Sequence, residues 1–464
     1  MTHDLDLALR DSLTSAADAL TTPDDPWPHF SRRETARRRV RRVRGTVFAG
    51  VLAAAVGVQT NVVPLPSWTP SIAVAAPWAG LADAPTRGSL AGDRVWLDGL
   101  RGHIKGLRDS EGLWEVAGRD RIRVLYAGDI PGHRLAIALV PLRLGVFMDW
   151  TVMFYKGPVG AAPAEMVEDG NTDARSPVVF WAQGDATNGG AAVVVGPPGS
   201  AVTINKGFTY SPQGVIDYQP TTASGANGVA VAQLPPSPVD PGTSAQVTNN
   251  GKVIFEGGIV GGWNFADDGS HEVTDAMLAA AVKGSRGPGL EPAILATFVQ
   301  SALQDSRLSA KDVTVHLRWS GTINGQPAAL LTLQPHNGGV LAYAMHGNAS
   351  SWRTDLRLLL PADKADQRPL AWRVRANGSD AMTDKVIVVA PAAAAAVRLT
   401  IDGGPSDPVA IDSSGYGTTT VPPGKRAAVT AFAADGTTLP TTPVPLGSDF
   451  GGLPGASPDT RVVK

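Results

Sequence analysis

A chain of 464 residues, 43% hydrophobic and 18% charged, has enough apolar material to fold, and its length suggests about three domains. It contains 52 Gly and 37 Pro, so turns are frequent. With no Cys, a disulfide scaffold, a thiol nucleophile and a Cys-ligated zinc site are excluded, and a net charge of −2 argues against a generally basic nucleic-acid binder.

Charge is segregated at the N-terminus. Residues 1–30 hold six Asp against one Arg, and residues 31–44 hold eight Arg against one Glu. In the acidic stretch Leu5, Leu9 and Leu13 recur at helical spacing with Ala16, Ala17 and Leu20, which predicts an amphipathic helix whose stripe can dock on a partner. Pro23, Pro26 and Pro28 end it. Arg37, Arg38, Arg39, Arg41, Arg42 and Arg44, preceded by Arg32 and Arg33, then stand before an uncharged stretch that lasts until Asp83. Anionic lipid headgroups account for these arginines more simply than nucleic acid does. The expectation is a transmembrane helix over 45–65, with residues 1–44 cytoplasmic and the rest outside. A cleaved secretion signal ending near SIAVAAP is the rival reading.

Beyond a linker (66–86), four blocks recur in the same order. RIRVLYAGDIPGHRLAIAL (121–139) matches VTVHLRWSGTINGQPAALLTL (313–333), and SPVVFWAQGDATNGGAAVVVGPPGSAVTI (176–204) matches RPLAWRVRANGSDAMTDKVIVVAPAAAAAVRLTI (368–401). The segments 211–235 and 406–430 match in the same way, as do 248–257 and 433–442. The reading is an internal duplication. Repeat 1 covers 87–258, a connecting helix and loops cover 259–289, and repeat 2 covers 290–446, followed by a disordered tail over 447–464. Trp181 and Trp372 fall in equivalent blocks, and so do Tyr126 and Trp319 approximately. Core packing explains these aromatics, with a ligand-facing pair as the alternative.

Leading helices precede the strands. Trp96, Leu97, Leu100, Ile104 and Leu107 suggest one, against three glycines, and Leu290, Ile294, Leu295, Phe298, Val299, Ala302 and Leu303 form the face of another. SHEVTDAMLAAAVKG (270–284) predicts a third, with Ser270 as N-cap and Gly284 as its stop. The fold class is therefore α+β, mostly β: an N-terminal tail and one transmembrane helix, then two tandem antiparallel-sheet repeats, each with a leading helix and a small sandwich.

No chemistry-bearing motif emerges. H-E-x-x-H, G-x-S-x-G and the phosphate-binding loop are all absent from the sequence. Asp267, Asp268 and Glu272 near Gly269 lack the alternating spacing of a calcium loop, and a capped turn explains them. No catalytic residue, metal ligand or cofactor is assigned.

The layout of an acidic helix, a Pro break, an Arg-rich helix, one apolar span and an outside region with strands of the type RVLYAGDIPGHRLAIAL…VVVGPPGSAVTI…NNGKVIFEG resembles a group of actinobacterial single-pass membrane proteins found beside extracytoplasmic-function sigma factors. The resemblance implies a sensor or binding protein of the envelope, with a cytoplasmic sigma factor as partner of the tail and an unidentified ligand outside. Without Cys, the zinc-binding mode of some anti-sigma factors is excluded. The alternative is a structural or adhesive envelope protein whose tail serves only as an anchor, and a third reading is an extracytoplasmic hydrolase without a recognisable motif.

Overall fold

The computed structural model describes residues 72–73, 79–109, 112–144, 147–222, 227–259, 261–265, 272–376, 382–446 and 461–462. Strands account for 51% of the described residues and helices for 14%, so this part of the protein is mostly β. Residues 70–464 form one compact unit.

The expected transmembrane helix is corrected. Among the described residues no helix is long and apolar enough to cross a membrane, and residues 45–65 lie outside them. The physical reason is in the sequence: the strictly apolar run is 14 residues (45–58) before Gln59, Thr60 and Asn61 intervene, against the roughly 20 that a span needs. On the same finding, the single-pass description has no spanning helix among the described residues. The predicted amphipathic tail helix, the Arg run and the tail over 447–460 also lie outside the described residues.

The first copy opens with a short helix α1 (Ala79–Ala82) and the amphipathic α2 (Arg94–His103). Asp93 caps α2 by accepting from the Trp96 amide at 3.0 Å, and Trp96, Leu97 and Leu100 of the predicted face are buried, whereas Ile104 is the C-cap and Leu107 belongs to the next strand. A small hairpin follows, β1 (Leu107–Asp109) and β2 (Gly112–Val116). Next comes an antiparallel meander of β3 (Arg123–Ile130), β4 (His133–Leu144), β5 (Phe147–Gly157) and β6 (Val167–Asp173). Two further sheets complete the copy. One is β7 (Val179–Asp185) and β8 (Gly189–Val195), flanked by β11 (Val229–Leu234) and the parallel β14 (Gly262–Asn264). The other has the order β10 (Ile216–Thr222), β9 (Ala201–Tyr210), β12 (Ser244–Asn249), β13 (Lys252–Gly258).

The second copy repeats the order. Helix α3 (Asp275–Ala281) is capped by Thr274, whose hydroxyl accepts from the Met277 amide at 3.2 Å, so it starts later than Ser270 and is shorter than predicted. Helix α4 (Pro292–Ser306) buries Ile294, Leu295, Phe298, Val299, Ala302 and Leu303, as the sequence pattern requires. The second meander is β15 (Val313–Ile323), β16 (Gln326–Pro335), β17 (Val340–Gly347) and β18 (Trp352–Leu360). A three-stranded sheet follows, β19 (Leu370–Arg375), β20 (Met382–Val389) and β23 (Tyr416–Thr420). A four-stranded one has the order β22 (Ser406–Val409), β21 (Ala394–Ile401), β24 (Ala427–Ala433), β25 (Thr442–Val444).

Each copy is thus four layers deep: helix, meander, sheet, sheet. Strand alternation divides the cores between the layers. In β4, Ala136, Ala138 and Val140 face the α2 core, while Leu135, Ile137 and Leu139 face the core shared with Trp181, Val193 and Val195. In β17, Leu341, Tyr343 and Met345 face α4, and Val340, Ala342 and Ala344 face Trp372 and Ile387. Strands covered on both sides read as continuous apolar runs, which is why HRLAIALVPL and VLAYAM lack polar alternation.

Candidate functional site

The polar chemistry of the molecule lies at the seams between layers, and it occurs twice. The first repeated device is an Arg-Gly turn just ahead of each leading helix. Arg87 makes a parallel bridge to Tyr126, and Arg286 makes the same bridge to Trp319. Tyr126 and Trp319 stand at the same distance from their hairpins, Ile130–His133 and Ile323–Gln326. The Ala127 amide donates to the Arg87 carbonyl at 2.8 Å, and the Ser320 amide donates to the Arg286 carbonyl at 2.9 Å. The next residues, Gly88 (φ +99°) and Gly287 (φ +97°), turn the chain where a Cβ would lie 2.2 Å from the Ala127 oxygen and 1.9 Å from the Ser320 oxygen.

The two arginine side chains then reach into the following sheet. Arg87, 5% exposed, donates through Nε to the Leu125 carbonyl (3.2 Å) and through one terminal nitrogen to the carbonyls of Gly196 (3.1 Å) and Asn227 (3.3 Å). Burial brings its pKa down to about 10. Arg286 donates to the carbonyl of Ala390. Gly196 follows β8 and Ala390 follows β20, so the two side chains bind equivalent points. Each ties the edge of a meander to the sheet stacked on it.

The second device is an acid at a β-bulge. In the first copy Phe154 pairs with Gly170 and Tyr155 with Glu168, which leaves Asp169 as the extra residue. In the second, Ala344 pairs with Leu356 and Met345 with Thr354, which leaves Asp355. A bulge re-aims a side chain, and both carboxylates turn toward the seam between the meander and the stacked sheet. Asp169 accepts from the Trp181 indole at 2.7 Å and from the Gln183 amide, and it lies 3.0 Å from Lys156 Nζ. Asp355, with a fully buried side chain, bonds His346 Nδ1 at 2.8 Å and has Arg375 Nε at 3.9 Å. Lys156 and His346 are equivalent, since they pair with Leu135 and Ala328, which sit at the same register beyond the hairpins. His133 lies beside the first cluster, and burial together with the Lys156 charge holds its imidazole below the usual range.

The equivalent tryptophans are core residues. Trp181 is 5% exposed and Trp372 is fully buried, so the packing reading of the pair holds. Trp319 stacks on Tyr416 with 5.0 Å between ring centroids. An open groove of about 340 Å³ is lined by Lys105, Gly106, Leu113, Glu115, Val116 and Arg119. Arg119 is already engaged, because its guanidinium donates to the carbonyls of Arg101, Gly102 and Ile104 at the end of α2. Among the described residues no group of three or more His, Asp or Glu could hold a metal ion.

The residues singled out in the sequence for partner binding (Leu5, Leu9, Leu13) and for flanking a membrane (Arg37, Arg38, Arg39, Arg41, Arg42, Arg44) lie outside the described residues, as do Asp267 and Asp268. Sequence reasoning missed both repeated devices. The turn had a signal, since TRGS (86–89) and SRGP (285–288) share their Arg-Gly pair ahead of each helix. The bulge acids had little, because Asp169 and Asp355 become equivalent only after a one-residue insertion in the ladder is seen.

No protein-family profile matches the chain, and no curated protein is significantly similar to it. Among solved structures, a biofilm-associated protein BSP domain is similar at 9% identity over 64% of this chain and 74% of that one, with a TM-score of 0.17. A likeness this remote defines neither the fold nor the activity.

Proposed function

We propose that the protein is a structural or adhesive component of the cell envelope, built as a duplicated β-scaffold. The observation that supports this reading is the use of its buried and half-buried polar groups. Arg87, Arg286 and Asp169 bond from one sheet to the next, and Asp355 pairs with His346 of its own sheet and has Arg375 of the next at 3.9 Å. Among the described residues the acid–base pair His346 and Asp355 is sealed between layers, with side-chain exposures of 3% and 0%.

The test is a clean deletion of the gene in its host, scored for attachment to surfaces and to other cells and for transcription. Loss of attachment with unchanged transcription supports the scaffold reading. Normal attachment with altered transcription, together with capture of a sigma factor by the full chain and its loss in a Leu5→Ala, Leu9→Ala, Leu13→Ala variant, replaces it with a regulator.

A further inference from the structure

The two meanders complete their helix-side cores differently. In the first copy the end of the core is closed from within, by the hairpin β1–β2. Leu107, Trp114 and Val116 pack against that core, and β2 pairs with β4 through Glu115–Arg143 and Val116–Leu142. The second copy has no such hairpin, since α4 leads through the short turn Ala310–Asp312 directly into β15. Leu142 and Pro335 stand at the same distance from their hairpins, and in the second copy this end of the sheet is covered by a piece of the first.

That piece is the arm formed by the ends of β9 and β10. The buried pairs Ile204–Ala245 and Leu399–Val429 mark equivalent points in the two sandwiches. Past them β9 continues for six residues to Tyr210, whereas β21 stops after two at Ile401. The extra length carries apolar anchors: Tyr210 and Ile216 are buried in the α4 core, with Phe208 and Tyr218 packed against it. The Tyr210 hydroxyl donates to the Ser306 carbonyl at 3.0 Å. The Gly339 amide donates to the Tyr210 carbonyl at 3.1 Å, and the Ala362 amide donates to the Pro212 carbonyl at 2.8 Å. Arg307, at the end of α4, pairs with Asp240 of the first copy.

We propose that this arm-and-slot contact is exchanged between molecules, so that the arm of one chain seats in the slot of a second copy of the same chain. The inference deepens the scaffold reading and rests on it, by naming the partner as the protein itself. Every contact made within one chain is available between two, because the arm and the slot are the same surfaces in either case. The within-chain contact is favoured only by its effective concentration, of millimolar order for short linkers. The segment that maintains it, residues 265–274 between β14 and α3, is ten residues long and reaches at most roughly 35 Å when extended. Exchange of an identical element is a low-cost route to association, and crowding on a surface raises the competing concentration.

The cysteine-free chain allows a direct test on the full-length protein. One tagged chain carries Pro212→Cys and a differently tagged chain carries Ala362→Cys, and they are mixed at rising concentration and oxidised. A Val95→Cys chain, modified at an 86% exposed position, replaces the first as the collision control. The expected result is an interchain disulfide that grows with concentration and is lost in the control. A second arm uses charge reversal on the half-exposed pair. Asp240→Arg in the Pro212→Cys chain and Arg307→Glu in the Ala362→Cys chain each weaken cross-linking with an unreversed partner, and together they restore it. Control-level interchain product at every concentration overturns the exchange, whether or not a chain carrying both cysteines closes on itself. These readouts register association alone, so they can fail while the attachment test succeeds, and the reverse.

Discussion

The two copies share a strand order but differ in how each is completed, and the difference teaches which parts of the architecture are generic. What repeats is the Arg-Gly turn, the bulge acid and a core tryptophan in the stacked sheet, whose indole bonds the acid in the first copy. What differs is the filling around that chemistry. The acid's partner is a lysine in the first copy and a buried histidine in the second. The residue under the turn is Tyr126 in one and Trp319 in the other. The first copy closes its own helix-side core, and the second borrows an arm. The first therefore has the contacts to stand alone, and the second is built to depend on it.

The dependence gives the largest expected effect. Tyr210→Ala removes a buried aromatic from the α4 core and should cost about 4 kcal/mol. The loss should fall in the copy that does not contain the mutation. Hydrogen exchange should quicken in α4 and β17 while β4 keeps its protection. Trp114→Ala, at the corresponding place in the first copy, should quicken exchange around α2 and leave α4 unchanged. Equal loss of protection across both copies in either variant would mean that they unfold as one unit and that the asymmetry has no thermodynamic meaning.

The bulge acids come next. Asp355→Ala leaves His346 in a sealed site without its partner and should destabilise by about 3 kcal/mol, as expected on breaking a buried pair. Asp169→Ala should cost about 2 kcal/mol, since Lys156 is 29% exposed and water can replace part of what is lost. Denaturant titration of each variant gives the order directly, and a larger cost at Asp169 would show that the hydrogen bonds from Trp181 and Gln183 outweigh burial. The turn glycines should behave alike. Gly88→Ala and Gly287→Ala each place a Cβ against a carbonyl at positive φ and should each cost about 2 kcal/mol. Unequal costs would show that the two turns are equivalent in shape only.

Much of the layering was legible in the sequence. Alternating strands, Gly- and Asn-bearing turns and the apolar faces of α2 and α4 follow from periodicity, and the duplication follows from the order of matching blocks. Gly99 and Gly102 did not prevent α2, because Trp96, Leu97 and Leu100 bury enough surface to override propensity, and Gly106 lies beyond its end. The seam devices were not legible, for physical reasons. A bulge shifts register by one residue, so nothing in the sequence sets Asp169 apart from its polar neighbours. The Arg286 turn was hidden because its side chain meets a backbone carbonyl, that of Ala390, about a hundred residues away, and a backbone partner leaves no signature in the sequence. The arm was hidden because its meaning depends on a comparison of strand lengths across 190 residues. The expected membrane span failed at the opposite end of the scale, on a simple count of apolar residues.

The smallest expected effect isolates one position. Tyr126, 3% exposed, has its pKa raised to about 12 by burial and by the nearby charge of Asp129. Its counterpart Trp319 cannot ionise. In the unfolded chain the phenol titrates near its ordinary value of about 10, so between pH 10 and pH 12 the unfolded state binds fewer protons than the folded one. The stability that Tyr126 contributes is therefore complete below pH 10 and is lost as the pH rises through 12. At pH 11 the loss is about 1.4 kcal/mol, one pKa unit's worth. Tyr126→Phe should behave like the parent near neutrality apart from a constant offset, and should lose less stability between pH 9 and pH 11 by that amount. The other five tyrosines, all with raised values, are common to both proteins and cancel in the difference. Parallel curves for parent and variant across this window would place the phenol in contact with water, and the Arg87 turn would then be open at the edge that the Trp319 side keeps closed.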